Sequence, residues 1–142
     1  LGINGEVITV DIEDRRHCSH PRVIPIAGSS TDQAIVEQVS AHVHANTGPM
    51  LLVLDSDHSA KHVNDELNLY APMTRDGDWI VVEDTNIAWT DGQGGGDRGA
   101  RGGLEDYLNA HPGEFIQDVI SERYLLTMHP GGWLQRVSGG RK

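Results

Sequence analysis

Cysteine is almost missing from this 142-residue chain: Cys18 stands alone. No internal disulfide can staple the fold, and the composition fits a reducing compartment, so a cytoplasmic location is expected. Long apolar runs are missing too. The longest uncharged one, Met50 to Leu54, is far short of the roughly 18 residues a membrane-spanning helix needs. The opening residues, Leu1-Gly2-Ile3-Asn4-Gly5-Glu6, are not patterned as a secretory leader. Basic charge is scarce: 11 Lys and Arg stand against 21 Asp and Glu, for a net charge of −10. Such a surface repels a phosphate backbone, so nucleic acid is not an expected partner. The glycine-rich stretch lacks the G-K-[ST] ending of a phosphate loop. No HExxH occurs, and His58 and His62, four apart on one helical face, have no third nitrogen or sulfur ligand placed beside them, which argues against zinc.

What is present reads as globular. At 37% hydrophobic and 23% charged residues, one domain spanning residues 1–142 is expected. Apolar runs alternate with helical patterns. Val7-Ile8-Thr9-Val10 stops at Asp11, Met50 to Leu54 closes on Asp55, and Trp79-Ile80-Val81-Val82 closes on Glu83-Asp84. All three have the profile of buried parallel strands. Val23-Ile24-Pro25-Ile26 is a further strand, demoted toward an edge by its proline. Ser30-Thr31-Asp32-Gln33 has the form of a capping box, and Ile35, Val36, Val39 and Val43 follow at helical spacing. Val63, Leu67 and Tyr70 mark a second helix, ended by Pro72. Residues 91–103 hold many of the chain's 17 glycines and are expected to form a mobile loop. Leu104, Tyr107 and Leu108 begin a third helix, which Phe115, Ile116, Val119 and Ile120 continue or follow with a fourth. Residues 124–128 and 133–137 are expected to pair as an antiparallel hairpin around Pro130-Gly131-Gly132.

This order is that of an open α/β sheet, which binds ligands at the carboxyl ends of its strands. Asp11 can accept hydrogen bonds from both hydroxyls of a ribose, or it can cap a loop or helix instead. Asp55, Glu83 and Asp84, brought together by neighbouring strand ends, repel one another unless a cation sits among them; pointing apart into solvent is the alternative. Oxygen ligands without cysteine favour Mg²⁺, ahead of Mn²⁺ or Ca²⁺. Asp57 competes with Asp55 for the same ion. His58 can act as a base beside such an ion, since imidazole suits proton transfer near neutral pH, or serve as a capping or surface residue. Gly28-Ser29-Ser30 places amides and hydroxyls at a helix N-terminus, where an anion or a polar ring would bind.

Val53-Leu54-Asp55-Ser56-Asp57-His58, Leu69-Tyr70-Ala71-Pro72 and Val81-Val82-Glu83-Asp84-Thr85-Asn86, together with Val10-Asp11-Ile12, Gly28-Ser29-Ser30 and His129-Pro130-Gly131-Gly132-Trp133-Leu134, resemble the cephalosporin hydroxylase family. That family is grouped with rhamnosyl and macrolide-sugar O-methyltransferases, and the likeness spans residues 4 to 137. The resemblance implies a Rossmann-like methyltransferase fold, a three-layer α/β/α arrangement that binds S-adenosylmethionine, usually with Mg²⁺. It implies a ribose contact at Asp11, an adenine contact at Gly28, Ser29 and Ser30, metal ligation by Asp55, Glu83 and Asp84, and a base at His58. The acceptor would be a hydroxyl of a small molecule or glycosyl group. No H-x-D…H iron triad is present, which favours methyl transfer over oxygenation.

One departure stands out. Methyltransferases of this class carry a strand and a glycine-rich turn about 20 to 30 residues before the ribose acid, whereas Asp11 has ten residues ahead of it. The chain also opens on Leu1. It is therefore expected to be truncated at its start, leaving strand edges that favour self-association into a homo-oligomer. A non-catalytic remnant acting as a self-associating or ligand-binding module is the alternative to an enzyme.

Overall fold

A computed structural model describes residues 5–14, 20–87, 96–123 and 126–137. They divide into two compact units, Leu1–Gly48 and Pro49–Lys142.

In the first unit β1 (Val7–Asp11) and β2 (Val23–Ala27) pair in parallel, with Val7 opposite Val23 and Asp11 opposite Ala27. Gly28 continues this ladder through its N–H to the Asp11 carbonyl. α1 (Gln33–Ala45) buries Ile35, Val36 and Val39, the helical stripe expected from their spacing. The cap differs from the expected box. Asp32, not Ser30, is the N-cap, its carboxylate accepting the Ala34 N–H at 2.8 Å. A charged acceptor makes the stronger bond at the positive end of a helix, which displaces the serine by two positions.

The second unit is built from β3 (Leu51–Leu54), α2 (Ala60–Tyr70), β4 (Trp79–Val82), α3 (Gly99–Ala110), β5 (Phe115–Gln117) and β6 (Trp133–Arg136). Its sheet has the order β3-β4-β6-β5. β3 and β4 are parallel, and β6 runs antiparallel to both β4 and β5. The six strands thus form two sheets instead of the single one expected; among the described residues no ladder joins β1 or β2 to the rest. Leu54, Val63, Leu67, Ile80, Val82, Leu104, Tyr107 and Leu134 share one core. Ile80 and Val82 belong to it while Val81 between them does not, as alternation along a strand requires. α2 and α3 cover that one face.

Three expectations fail here, each for a physical reason. Residues 99–103 are not loop but the start of α3; residues 91–95 lie outside the described residues. Asp97 accepts the Gly99 N–H at 2.9 Å, and a β-carbon at Gly103 would collide with the Ala60 carbonyl of α2. Close helix packing, which only glycine permits, outweighs glycine's low helix propensity of about 1 kcal/mol. Second, Phe115-Ile116 is strand, not helix, because Pro112 and Gly113 (φ +81°) end α3 and turn the chain onto β6. Third, β6 takes β4 and β5 as partners, not residues 124–128. Of these, 124 and 125 lie outside the described residues and 126–128 are not strand.

Asp78 shows how the second unit's loops are tied. It is 5% exposed, and its carboxylate accepts the N–H groups of Met50 and Arg75, both at 2.8 Å. Replacing Asp78 by alanine leaves two partly buried N–H groups without their acceptor, at about 1–3 kcal/mol each. Urea denaturation of the Asp78→Ala protein is expected to show a loss of about 2–4 kcal/mol. No helix among the described residues is long and apolar enough to cross a membrane.

Candidate metal centre

The parallel register puts Leu54 opposite Val82, so the chain leaves both strands at the same end of the sheet. The ladder runs one bond further, from the Glu83 N–H to the Leu54 carbonyl at 3.0 Å. Beyond it the two segments diverge in kind. After β3, Asp55-Ser56-Asp57-His58 forms a short loop pinned to α2. Ser56 Oγ donates to Glu66 Oε1 at 2.7 Å, and Ser59 caps α2 by accepting the His62 N–H. Asp57 accepts the Ser59 N–H at 2.8 Å, and its bonds to the Ser59 backbone and hydroxyl hold its carboxyl below the usual carboxylate range. Asp57 is thus engaged at the helix start.

After β4 the backbone turns sharply. Asp84 has φ +53° and is the sole non-glycine in the left-handed region among the described residues. That turn brings its carboxylate toward the β3 loop. His58 Nε2 lies 3.4 Å from Asp55 Oδ1 and 3.8 Å from Asp84 Oδ2. Ligand atoms of Asp55, His58 and Asp84 all fall within 4.8 Å of one another. His58 Nε2 is buried yet has no hydrogen-bond partner among the described residues. Glu83 is not part of this group.

A divalent cation fits this arrangement. Adjacent ligands on an octahedral ion with bonds near 2.1 Å stand about 3.0 Å apart and opposite ones about 4.2 Å apart, close to the separations seen. Two carboxylates and a buried nitrogen without a hydrogen bond converge on one point. Carboxylates suit Mg²⁺ or Mn²⁺, and an imidazole nitrogen admits Mn²⁺ more readily than Mg²⁺.

The residues expected to meet a nucleoside lie in the first unit. Asp11 closes β1, and its Oδ1 accepts the Glu13 N–H at 2.9 Å. It borders a cavity of about 240 Å³ together with Thr9, Pro25, Ile26 and Ala27. Gly28 has φ +151°, a glycine conformation, and follows β2 directly. Ser29 Oγ is 3.0 Å from Thr31 Oγ1, and Ser30 sits beside them before α1. The Asp11 and Gly28 backbones are hydrogen-bonded to each other. The ribose, adenine and metal roles read from the sequence therefore fall on two separate groups of residues, one in each unit.

Two residues that hold the loops of this candidate centre, Glu66 through Ser56 and His129 through Asp84, escaped sequence reading. Glu66 is 2% exposed, and its charge lies in the buried stripe Val63, Glu66, Leu67, Tyr70 of α2. A carboxylate at that position in an apolar stripe was the available signal. Burial, and secondarily the Glu66 carboxylate, pushes the Tyr70 hydroxyl up to about 12. His129, whose Nδ1 accepts the Asp84 N–H at 3.0 Å, is far away in sequence and gave no signal beyond its place in a glycine-rich motif.

The sequence profile of the rhamnosyl O-methyltransferase/CmcI family matches residues 1–137. The chain belongs to this family. A rhamnosyl O-methyltransferase of Mycobacterium tuberculosis H37Rv is 35% identical over 141 residues, which are 96% of this chain and 58% of that protein. The Mycobacterium leprae rhamnosyl O-methyltransferase is 32% identical over 140 residues and 61% of its length. Demethylmacrocin O-methyltransferase of Streptomyces fradiae is 29% identical over 92 residues. The chain thus spans somewhat over half the length of the rhamnosyl relatives. Among solved structures, the MycE methyltransferase from the mycinamycin biosynthetic pathway, in complex with Mg and SAH, superposes with a TM-score of 0.67 at 20% identity. It covers 96% of this chain and 38% of that one. This member of the rhamnosyl O-methyltransferase/CmcI family shares an α/β fold with MycE.

Proposed function

We propose that the protein carrying this chain is an S-adenosylmethionine-dependent O-methyltransferase. It is assisted by a divalent cation and acts on a hydroxyl of a glycosyl group or similar small molecule. The observation that carries this reading is the convergence of Asp55, His58 and Asp84 within 4.8 Å, in a member of the rhamnosyl O-methyltransferase/CmcI family. The names of the relatives, which speak of rhamnosyl groups and demethylmacrocin, and the mycinamycin VI found with MycE support a sugar or macrolide-sugar acceptor.

When bound, the cation would supply positive charge that acidifies and orients the acceptor hydroxyl, and S-adenosylmethionine would supply the electrophilic methyl group. Asp55 and Asp84 would hold the cation; Glu83, which the resemblance also offered as a ligand, lies outside the converging group. His58 Nε2, without a hydrogen-bond partner among the described residues, would take the proton from the acceptor hydroxyl. The acceptor oxygen would gain the methyl group that the sulfonium gives up. Asp11 would accept hydrogen bonds from the ribose hydroxyls, and Gly28, Ser29 and Ser30 would hold the adenine. Most of the rate gain would come from holding the hydroxyl in line with the methyl carbon.

Calorimetric titration of the protein with S-adenosylmethionine, with and without Mg²⁺, tests the reading, followed by mass spectrometry of a rhamnosyl acceptor after incubation. Cofactor binding together with a mass gain of one methyl group is the expected result. Absence of both cofactor and cation binding would overturn it and favour a non-catalytic binding module.

A further inference from the structure

The motif His129-Pro130-Gly131-Gly132 has no part in the chemistry above, yet it touches the metal-bearing turn along its whole length. The Val82 N–H donates to the Gly132 carbonyl at 2.9 Å, the Asn86 N–H to the Met128 carbonyl at 3.2 Å, and Thr85 Oγ1 to the Pro130 carbonyl at 3.0 Å. Between them the Asp84 N–H donates to His129 Nδ1 at 3.0 Å. The clasp has its own turn, closed by the Gly132 N–H on the His129 carbonyl at 2.8 Å, with Gly131 at φ +75°. It sits so close that a β-carbon at Gly132 would collide with the Val82 carbonyl. Both glycines are thus required by geometry, one for its φ and one for the approach.

We propose that His129 is a positioning residue for the metal centre: its ring nitrogen holds Asp84 in the left-handed conformation that aims the carboxylate at Asp55 and His58. An aspartate at φ +53° is in a region L-residues adopt sparingly, and it persists only where the surroundings fix it. A backbone N–H in a left-handed turn has no strand or helix partner to return to, and His129 Nδ1 supplies the acceptor. The hydrogen bond also fixes the imidazole as the tautomer protonated on Nε2. Asparagine is the conservative stand-in, since its side-chain oxygen occupies the place of Nδ1. The inference rests on the metal reading, because only a site that needs the Asp84 carboxylate needs it aimed.

The test compares wild type, His129→Ala and His129→Asn by two readouts. One is Mn²⁺ affinity by electron paramagnetic resonance; the other is amide hydrogen exchange at Asp84 in the metal-free protein. His129→Ala should weaken Mn²⁺ binding about 10- to 100-fold, the usual effect of losing a group that orients a ligand, and should speed exchange at the Asp84 amide. His129→Asn should restore both nearly to wild type. Unchanged Mn²⁺ affinity and exchange in His129→Ala would overturn the proposal. If His129→Ala does not fold, His129→Asn decides alone: wild-type affinity supports the role, and lost affinity in a folded protein refutes it. A wild type that binds no Mn²⁺ instead overturns the metal reading, and the Asp84 exchange rate still reports whether His129 holds the turn.

Discussion

Replacing His58 by alanine is expected to lower methyl transfer by about 10²- to 10⁴-fold, the range for loss of a general base, in the protein that carries this chain. His58 Nε2 faces both carboxylates at 3.4 and 3.8 Å, so a hydroxyl placed among them would meet a buried imidazole nitrogen that has no hydrogen-bond partner among the described residues. S-adenosylmethionine affinity should stay near that of wild type, because the nucleoside contacts are proposed to lie on Asp11 and Gly28-Ser29-Ser30. Added imidazole should recover part of the rate. Measuring Mn²⁺ affinity in the same variant separates two roles for one nitrogen. A base leaves that affinity intact, whereas a metal ligand takes it down in step with turnover. Full activity in His58→Ala would remove the residue from the mechanism.

The second large effect belongs to Asp84. Asp84→Asn keeps an oxygen in place and tolerates the left-handed backbone, but it removes one of the two charges proposed to draw the cation. Its Mn²⁺ affinity is expected to fall by more than the about 100-fold upper end for an orienting residue, with turnover falling alongside. Since the side chain is nearly isosteric, circular dichroism should be unchanged. An Asp84→Asn protein that binds Mn²⁺ like wild type would mean the carboxylate is not a ligand.

Much of this centre could be read from sequence because parallel strands end on the same side. The apolar runs before Asp55 and before Glu83-Asp84 became β3 and β4, and their pairing register brings the following acids together. Which acid turns inward was not legible. Glu83 continues the ladder through its own N–H, while Asp84 breaks it with a positive φ, and that conformation depends on contacts with a segment 45 residues away. The choice between Asp55 and Asp57 was hidden for a similar reason: both are short acids near a helix start, and only the structure shows Asp57 bonded to Ser59. Elsewhere, tertiary packing overrode local preference. Glycine-rich residues 99–103 became helix where α3 meets α2, and Ile116 joined a strand although its spacing from Val119 and Ile120 suited a helix.

The left-handed turn at Asp84 also makes the metal-free protein frustrated. Two carboxylates share a point within 4.8 Å, with side chains 58% and 27% exposed. At that distance their repulsion in a water-like medium is about 1 kcal/mol, added to the backbone cost of a left-handed aspartate. The Asp84→Asn protein that loses the cation should therefore melt a few degrees higher than metal-free wild type. Heat resistance and metal affinity pull this position in opposite directions. A library screened only for survival at raised temperature, in the presence of a chelator, should enrich asparagine or glycine at position 84, while screening with Mn²⁺ present should keep the aspartate.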